Sequence, residues 1–322
     1  MRFVIYGAGA VGGVIGARLH EHGHDVVLIA RGEHLRTIQR GGLRIEWPDG
    51  QATLRVPAVE GPSEIDFGDR DLVLLSVKSQ DTAGALRTLA AAATDVPIAC
   101  AQNGVENERT ALRLFGDVYG VHVMLPAFHL EPGVVQTSSS PVSGLLDVGR
   151  YPSGADETTR ELVAAFNAST FDSRACADIV RWKYRKLVMN LGNAVEALLP
   201  PGPAQDEIAQ RAEDEGEACL RAAGIDFASR EEDRIRRGDL LRVRPIRGEE
   251  RPGGSTWQSL ARGAGAIEAD YLNGEIAMLG RLHGFPTPVN ELLQRLANRW
   301  AAERLPPETL DPNEFERALE TR

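Results

Sequence analysis

The chain opens on an apolar run, Phe3-Val4-Ile5-Tyr6, that gives way at once to Gly7-Ala8-Gly9-Ala10-Val11-Gly12. A short apolar run, a glycine cluster and then a 3.6-residue pattern predict a buried strand, a tight turn and a helix over 11–22. A second strand follows at 25–30. Further buried-type strands are expected at 72–77, 97–101 and 118–125, with helices at 82–93 and 106–114 between them. Continuous apolar strands alternating with helices are the pattern of a parallel sheet covered on both faces. Two antiparallel excursions interrupt it. One is a hairpin over 43–56 turning on Pro48-Asp49-Gly50, and the other turns on Glu131-Pro132-Gly133.

After about residue 171 the strand pattern fades. A helix is predicted over 178–199, and Pro200-Pro201-Gly202-Pro203 ends it. Others follow at 206–223, 256–283 and 289–303. The fold class expected is therefore α/β: an N-terminal doubly wound sheet over 1–174, then an all-helical C-terminal domain over 175–322. The stretch 230–251, dense in arginines and acids, reads as a mobile or solvated connection. No internal repeat and no low-complexity segment is apparent.

Length agrees with this division, since 322 residues suit two cores better than one. A formal charge of -10 argues against a general nucleic-acid or anionic-membrane binder, though a local basic pocket remains compatible with it. Three cysteines (Cys100, Cys176, Cys219) with no C-x-x-C read as buried or incidental thiols of a reducing compartment. The first strand follows Met1 directly, and no apolar stretch approaches the roughly 20 residues of a membrane span, so a soluble, cytoplasmic protein without a leader is expected. The histidines are scattered, with no H-E-x-x-H, and no metal is expected.

The glycine cluster carries the first chemistry. G-x-G-x-x-G after a strand and opening a helix is the pattern of a dinucleotide site in a Rossmann-type sheet, the plainer alternative being a structural turn in some other α/β protein. Gly7 permits the tight turn, Gly9 lets the backbone approach a pyrophosphate, and Gly12 lets helix and strand pack closely. The helix N-terminus, through Ala10 and Val11, then faces the phosphates, with Ala8 in the turn itself. An NAD-type site presents an acid at the end of the second strand for the ribose 2′-hydroxyl. Here Arg31 follows Val27-Leu28-Ile29-Ala30, and the next acid, Glu33, lies beyond Gly32. Arginine grips a 2′-phosphate with paired, charge-assisted hydrogen bonds, which favours NADP(H) over NAD(H). The plainer alternative is a solvated arginine at a loop start.

Ligands of an open α/β sheet bind beyond the carboxyl ends of the strands. That singles out Lys78-Ser79-Gln80 and Gln102-Asn103-Gly104 beside the glycine turn. Asn103 can cap the next helix or bond a nicotinamide ribose and the substrate, but Asn-Gly is also an ordinary turn. Lys186, Asn190 and Asn193 fall at i, i+4 and i+7 in an otherwise apolar helix. Lysine carries a proton at neutral pH and can give it to a carbonyl oxygen becoming an alkoxide. The alternative is a surface lysine with its stem on apolar neighbours. The 256–283 helix holds Glu268, Asp270, Asn273 and Glu275, with Gly263, Gly265, Gly274 and Gly280 costly there unless something packs close. Glu268 could pair with a catalytic lysine, although four such residues on a long helix usually form a solvated face.

Together these residues resemble the ketopantoate reductase family (2-dehydropantoate 2-reductases) over nearly the whole chain. The resemblance rests on Gly7 to Gly12, on Gln102-Asn103-Gly104, on Tyr184-Arg185-Lys186-Leu187-Val188-Met189-Asn190, and on Ile267-Glu268-Ala269-Asp270-Tyr271-Leu272-Asn273-Gly274. It implies reduction by NADPH of the C2 carbonyl of a 2-oxo acid, by default 2-dehydropantoate to pantoate, in pantothenate biosynthesis. Lys186 would be the proton donor and Glu268 its partner near the cofactor. Asn103 would touch cofactor and substrate, and Asn190, with Asn193, would hold substrate polar groups. Ser255-Thr256 match the hydroxyl position that grips the carboxylate, and Arg31 and Lys78 match basic residues near the adenosine phosphate. Oriented donors around a developing negative charge are what such chemistry requires.

Some positions depart from the family pattern. Where the family often has a further Asn on the lysine helix, this chain has Ala194, with Asn193 one residue earlier. Trp257-Gln258-Ser259 stands where Leu-Gln-Asp is common, and 230–251 is longer and more charged than expected. The competing readings are a paralogue reducing a different oxo acid, an opine- or imine-type dehydrogenase, and a non-catalytic NADPH-binding sensor. The expected partner is a small 2-oxo acid, with no nucleic acid and no membrane; a homodimer stays open.

Overall fold

The computed structural model describes residues 1–249 and 253–321. The chain forms two compact units: Met1–Gln102, Glu106–Lys183 and Arg230–Arg251 in the first, and Asn103–Val105, Tyr184–Ser229 and Pro252–Arg322 in the second.

The first unit alternates as the pattern predicts. It runs β1 (Arg2–Tyr6), α1 (Ala10–Glu21), β2 (Asp25–Ile29), α2 (Gly32–Gly41), β3 (Leu43–Trp47), β4 (Gly50–Leu54), β5 (Ala58–Val59), β6 (Asp71–Leu75), α3 (Thr82–Ala90), β7 (Ile98–Cys100) and α4 (Asn107–Leu112). It continues with β8 (Val118–Met124), β9 (Ala127–Phe128), β10 (Val134–Thr137), β11 (Gly144–Arg150), α5 (Glu157–Asn167) and β12 (Phe171–Asp172). Eight strands order as β12-β11-β8-β7-β6-β1-β2-β5. All pairs are parallel except β11 on β8. β1 lies between β2 and β6, with Tyr6 opposite both Ile29 and Leu75. The connections leave β1 in opposite directions across the sheet, so Gly7 emerges at the switch point of a doubly wound fold.

Both faces of this sheet are covered. Phe3, Ile5, Val14, Ile15 and Leu28 share one buried cluster, while Val4, Tyr6, Leu75, Leu86 and Leu89 share another. The alternation of β1 residues between the two clusters is the period-2 consequence of a strand buried on both sides. Both expected hairpins form in a second sheet ordered β4-β3-β10-β9. Trp47 pairs with Gly50 in the first, and Phe128 with Gln136 in the second. The sequence pattern did not single out α5. Asp156 caps it, accepting from the Thr159 amide at 3.0 Å.

The segment around Arg230–Arg251 corrects an expectation. It belongs to the first unit instead of forming a solvated connection. Helix α9, Arg230–Arg237, buries Arg236, which binds Asp147 through two bonds of 2.6 Å and also pairs with Asp172. Arg244 pairs with Asp49, and Arg247 with Glu46. The charge density therefore reflects in part acids on β11, β12 and the β3–β4 hairpin, which Arg236 meets in the interior and Arg244 and Arg247 meet at the surface. Residues 250 and 251 lie outside the described residues.

The second unit is helical, and no named strand lies in it among the described residues. It takes residues 184–190 of α6 (Ile179–Asn190), followed by α7 (Gly192–Leu198), α8 (Pro203–Ala222), α10 (Ser255–Ala261), α11 (Asn273–His283), α12 (Pro288–Glu303) and α13 (Pro312–Glu320). Leu187, Leu191, Val195, Leu220, Ile276, Leu293 and Trp300 share its core. Two long helices expected from the pattern are broken. The 178–199 helix splits at Leu191, whose carbonyl accepts from Asn273 Nδ2 at 3.1 Å. The 256–283 helix becomes α10, a 3-10 turn over Glu268–Tyr271, and α11. Its break is set by Gly263 and Gly265, at φ +60 and +72, a conformation that glycine adopts without strain.

Candidate active site

In the first unit the glycine turn is shaped by what its neighbours exclude. A Cβ on Gly12 would lie 2.1 Å from Ser76 Oγ and 2.3 Å from the Gly7 carbonyl oxygen, and one on Gly7 would meet the Val77 nitrogen at 2.8 Å. A Cβ on Gly9 would meet nothing within 4 Å. Two glycines are thus spent on packing, while the third leaves the backbone bare toward open space. Helix α1 starts there without a side-chain cap and with no acid in its first turn. Ala10 and Val11 contribute its first turn, and Ala8 is buried. An uncapped helix start with a bare approach fits a pyrophosphate, which would take the place of the cap.

His34 completes this turn, and sequence reasoning missed it. Its Nδ1 accepts from the Gly133 amide at 2.9 Å, so Nε2 carries the hydrogen and donates to the Ala8 carbonyl at 2.7 Å. The ring also lies 4.2 Å from that of His129. Burial, and then the neighbouring His129, push the His34 imidazole down to about 4, against the pull of the Ala8 carbonyl. Its position three residues past Arg31 was the only available signal.

Arg31 is exposed and extended at the start of α2. Glu33, the nearby acid, is held on the helix surface by Arg36 at 2.8 Å and Arg40 at 2.7 Å. Lys78 is half-buried and opens a 3-10 turn beyond the carboxyl end of β6.

The second unit holds most of the remaining candidates. Lys186 and Asn190 share α6, four residues apart, with Lys186 half-buried and Asn190 buried. Asn190 Nδ2 donates to Asn103 Oδ1 at 3.0 Å, so residues 87 apart in sequence meet. Asn193 sits half-buried on α7, beyond the Leu191 break, and does not share a continuous helix with Lys186. Ala194 is 2% exposed and belongs to the apolar core.

Ser255 and Thr256 open α10, Ser255 half-buried and Thr256 buried. Glu196 on α7 holds the start of that helix by accepting from the Gly254 amide at 3.1 Å. Ser259, at a position of departure, spends its hydroxyl on the Ser255 carbonyl at 3.1 Å. Glu268 is buried at the head of its 3-10 turn. Asn273 is buried too and bonds both Leu191 and Asn290, whereas exposed Asp270 accepts from Gln294 and Asn298. The expected solvated face is therefore mostly interior. No cluster of His, Cys, Asp and Glu suited to a metal occurs among the described residues, and no helix there is long and apolar enough to cross a membrane.

A doubly wound sheet with an uncapped glycine turn at its switch point, followed by a helical unit bearing lysine and amides, fits a nucleotide-binding oxidoreductase without defining one. Comparison with known proteins narrows this. The family described as ketopantoate reductase PanE/ApbA matches residues 3–152, and its C-terminal counterpart matches residues 178–301. The chain belongs to this family, whose members are nicotinamide-dependent reductases. It is 31% identical over 316 residues to the 2-dehydropantoate 2-reductase of Halobacterium salinarum, covering 93% of this chain and 99% of the relative. It is 30% identical over 304 residues to that of Pyrococcus horikoshii, covering 92% and 96%. A crystal structure of a PanE/ApbA family ketopantoate reductase from Ralstonia eutropha superposes with TM-score 0.79 at 30% identity, covering 94% and 99%. A D-mandelate dehydrogenase solved with NADH and anilino(oxo)acetate shares the fold at TM-score 0.79 and 22% identity, covering 94% of this chain and 99% of that one.

Proposed function

We propose that this protein is an NADPH-dependent reductase of a 2-oxo acid, with 2-dehydropantoate as the default substrate. The observation that carries the reading is the Asn190–Asn103 hydrogen bond, with Lys186 one helical turn before Asn190. It joins two segments that the family resemblance had assigned to one task.

The glycine turn Gly7 to Gly12 would hold the pyrophosphate, and Arg31 with Lys78 the adenosine phosphate. Bound NADPH supplies a hydride to the C2 carbonyl carbon. Lys186 Nζ gives the proton that the carbonyl oxygen needs to end as a hydroxyl, and water returns a proton to the lysine. Asn103 and Asn190, each fixed by the other, present oriented donors with little freedom left to lose. Ser255 and Thr256 bind the substrate carboxylate, Asn193 a further polar group, and Glu268 keeps the lysine in its working position.

One observation favours a relative of the default substrate. Ala194 stands in the apolar core where the family often carries an amide, and Ser259 is committed to its own helix. Neither position then offers a substrate the amide or the carboxylate of the family pattern, which suits a 2-oxo acid less hydroxylated than 2-dehydropantoate.

The test is Lys186→Ala. Turnover should fall by about 10²–10⁴-fold while NADPH binds as before. Turnover at the wild-type rate would remove Lys186 as the proton donor.

A further inference from the structure

Helix α6 carries a second lysine three residues before Lys186 that the reaction above does not use. Lys183 and Glu108 form an ion pair with side chains only 4% and 1% exposed. Lys183 Nζ donates to Glu108 and also, at 3.1 Å, to the Gln102 carbonyl oxygen. Burial pushes the Glu108 carboxyl up, opposed by the Lys183 ammonium. Removing two charges from water is expensive, and apolar residues of similar volume often serve stability as well or better. Such a pair can serve position instead of stability.

Its surroundings suggest what it positions. Gln102 Nε2 donates to the Val77 carbonyl at 2.7 Å and to Thr82 Oγ1 at 2.8 Å. Thr82 Oγ1 donates to Asn107 Oδ1 at 2.8 Å, and Asn107 Nδ2 reaches Ser79 Oγ at 3.2 Å. Three separate segments are thereby fastened together, each next to an assigned residue. Lys78 lies between Val77 and Ser79, Asn103 follows Gln102, and Lys186 follows Lys183 on the same helix.

We infer that Lys183 and Glu108 are positioning residues: their pair fixes the Gln102 carbonyl, and with it the Asn103–Val105 turn, so that Asn103 is presented in working geometry. The inference deepens the proposed reaction and rests on it for its kinetic readout. Neither side chain touches the reacting atoms. Their effect reaches the reaction through the backbone of residues 102–105 and through α6.

The test is the double variant Lys183→Met, Glu108→Leu, which removes both charges and leaves neither buried alone. Its thermal midpoint should stay near wild type, while amide exchange at Gly104 and Val105 becomes faster. Its kcat should fall by up to about 10²-fold, the signature of a misplaced group, while KM for NADPH rises by much less because the glycine turn and Arg31 still hold the phosphates. Should that variant not fold, Glu108→Gln keeps the shape and should show the same pattern more weakly. Wild-type exchange at Gly104 and Val105 in a folded variant overturns the inference. Because exchange needs no substrate, it separates this inference from the substrate assignment.

Discussion

The two units organise their polar groups by opposite means. In the first, the glycine turn works through absent side chains: Gly7 and Gly12 have no room for a Cβ, while Gly9 leaves the backbone bare. In the second, the candidate face works through buried amides satisfied at long range. Asn190 meets Asn103, Asn273 takes the Leu191 carbonyl, and Asn290 bonds the Ala212 carbonyl and Glu215. A backbone cradle needs only local geometry and tolerates no added bulk. An amide network needs partners from distant segments, and losing one partner leaves a buried polar group unsatisfied. A dinucleotide site of the first kind can stay fixed while a substrate site of the second kind changes.

The sharpest way to break this contrast lies within the glycine turn. Gly12→Val should fail to bind NADPH and should lose about 1–3 kcal/mol of stability through overpacking. Gly9→Ala should keep its thermal midpoint yet lose NADPH affinity, because its Cβ fills the approach and not the core. Equal effects at the two positions would end the distinction. Next, Arg31→Ala should weaken NADPH by about 10–100-fold, the worth of charged hydrogen bonds of about 1.5–3 kcal/mol, and leave NADH little changed. Equal weakening of both cofactors would take Arg31 away from the 2′-phosphate.

The smallest effect expected is a pH dependence at His34. Its folded value of about 4 lies below the ordinary imidazole value of 6.5, so the unfolded chain binds the proton more readily. Its contribution to stability is therefore full above about pH 6.5 and is lost as pH falls towards 4. His34→Gln should flatten that part of a thermal-midpoint profile, and an unchanged profile would show that His34 is not its source.

The same contrast explains what the sequence made legible. The β1–α1 turn, both hairpins and the parallel strands were readable because each depends on residues adjacent in the chain. The Leu191 break was not, because Asn273, which takes the Leu191 carbonyl there, lies far along the sequence. The 256–283 stretch looked continuous because apolar spacing persisted through Gly263 and Gly265, whose left-handed backbone only the structure reveals. Arg236 looked solvated because its partners Asp147 and Asp172 lie on other elements. Lys183 went unremarked for the same reason: nothing near it in sequence announces Glu108. Among the candidate residues, spacing alone placed Lys186 and Asn190 correctly on one helix, and it took tertiary structure to bring Asn103 to Asn190.

The most direct test of the central claim is the rate of NADPH oxidation by the purified protein with 2-dehydropantoate beside a panel of other 2-oxo acids, followed by loss of the reduced-nicotinamide absorbance. Turnover of at least one 2-oxo acid is expected, faster with NADPH than with NADH. Tight NADPH binding with no turnover of any panel member would contradict it and leave a cofactor-binding protein without the reductase chemistry.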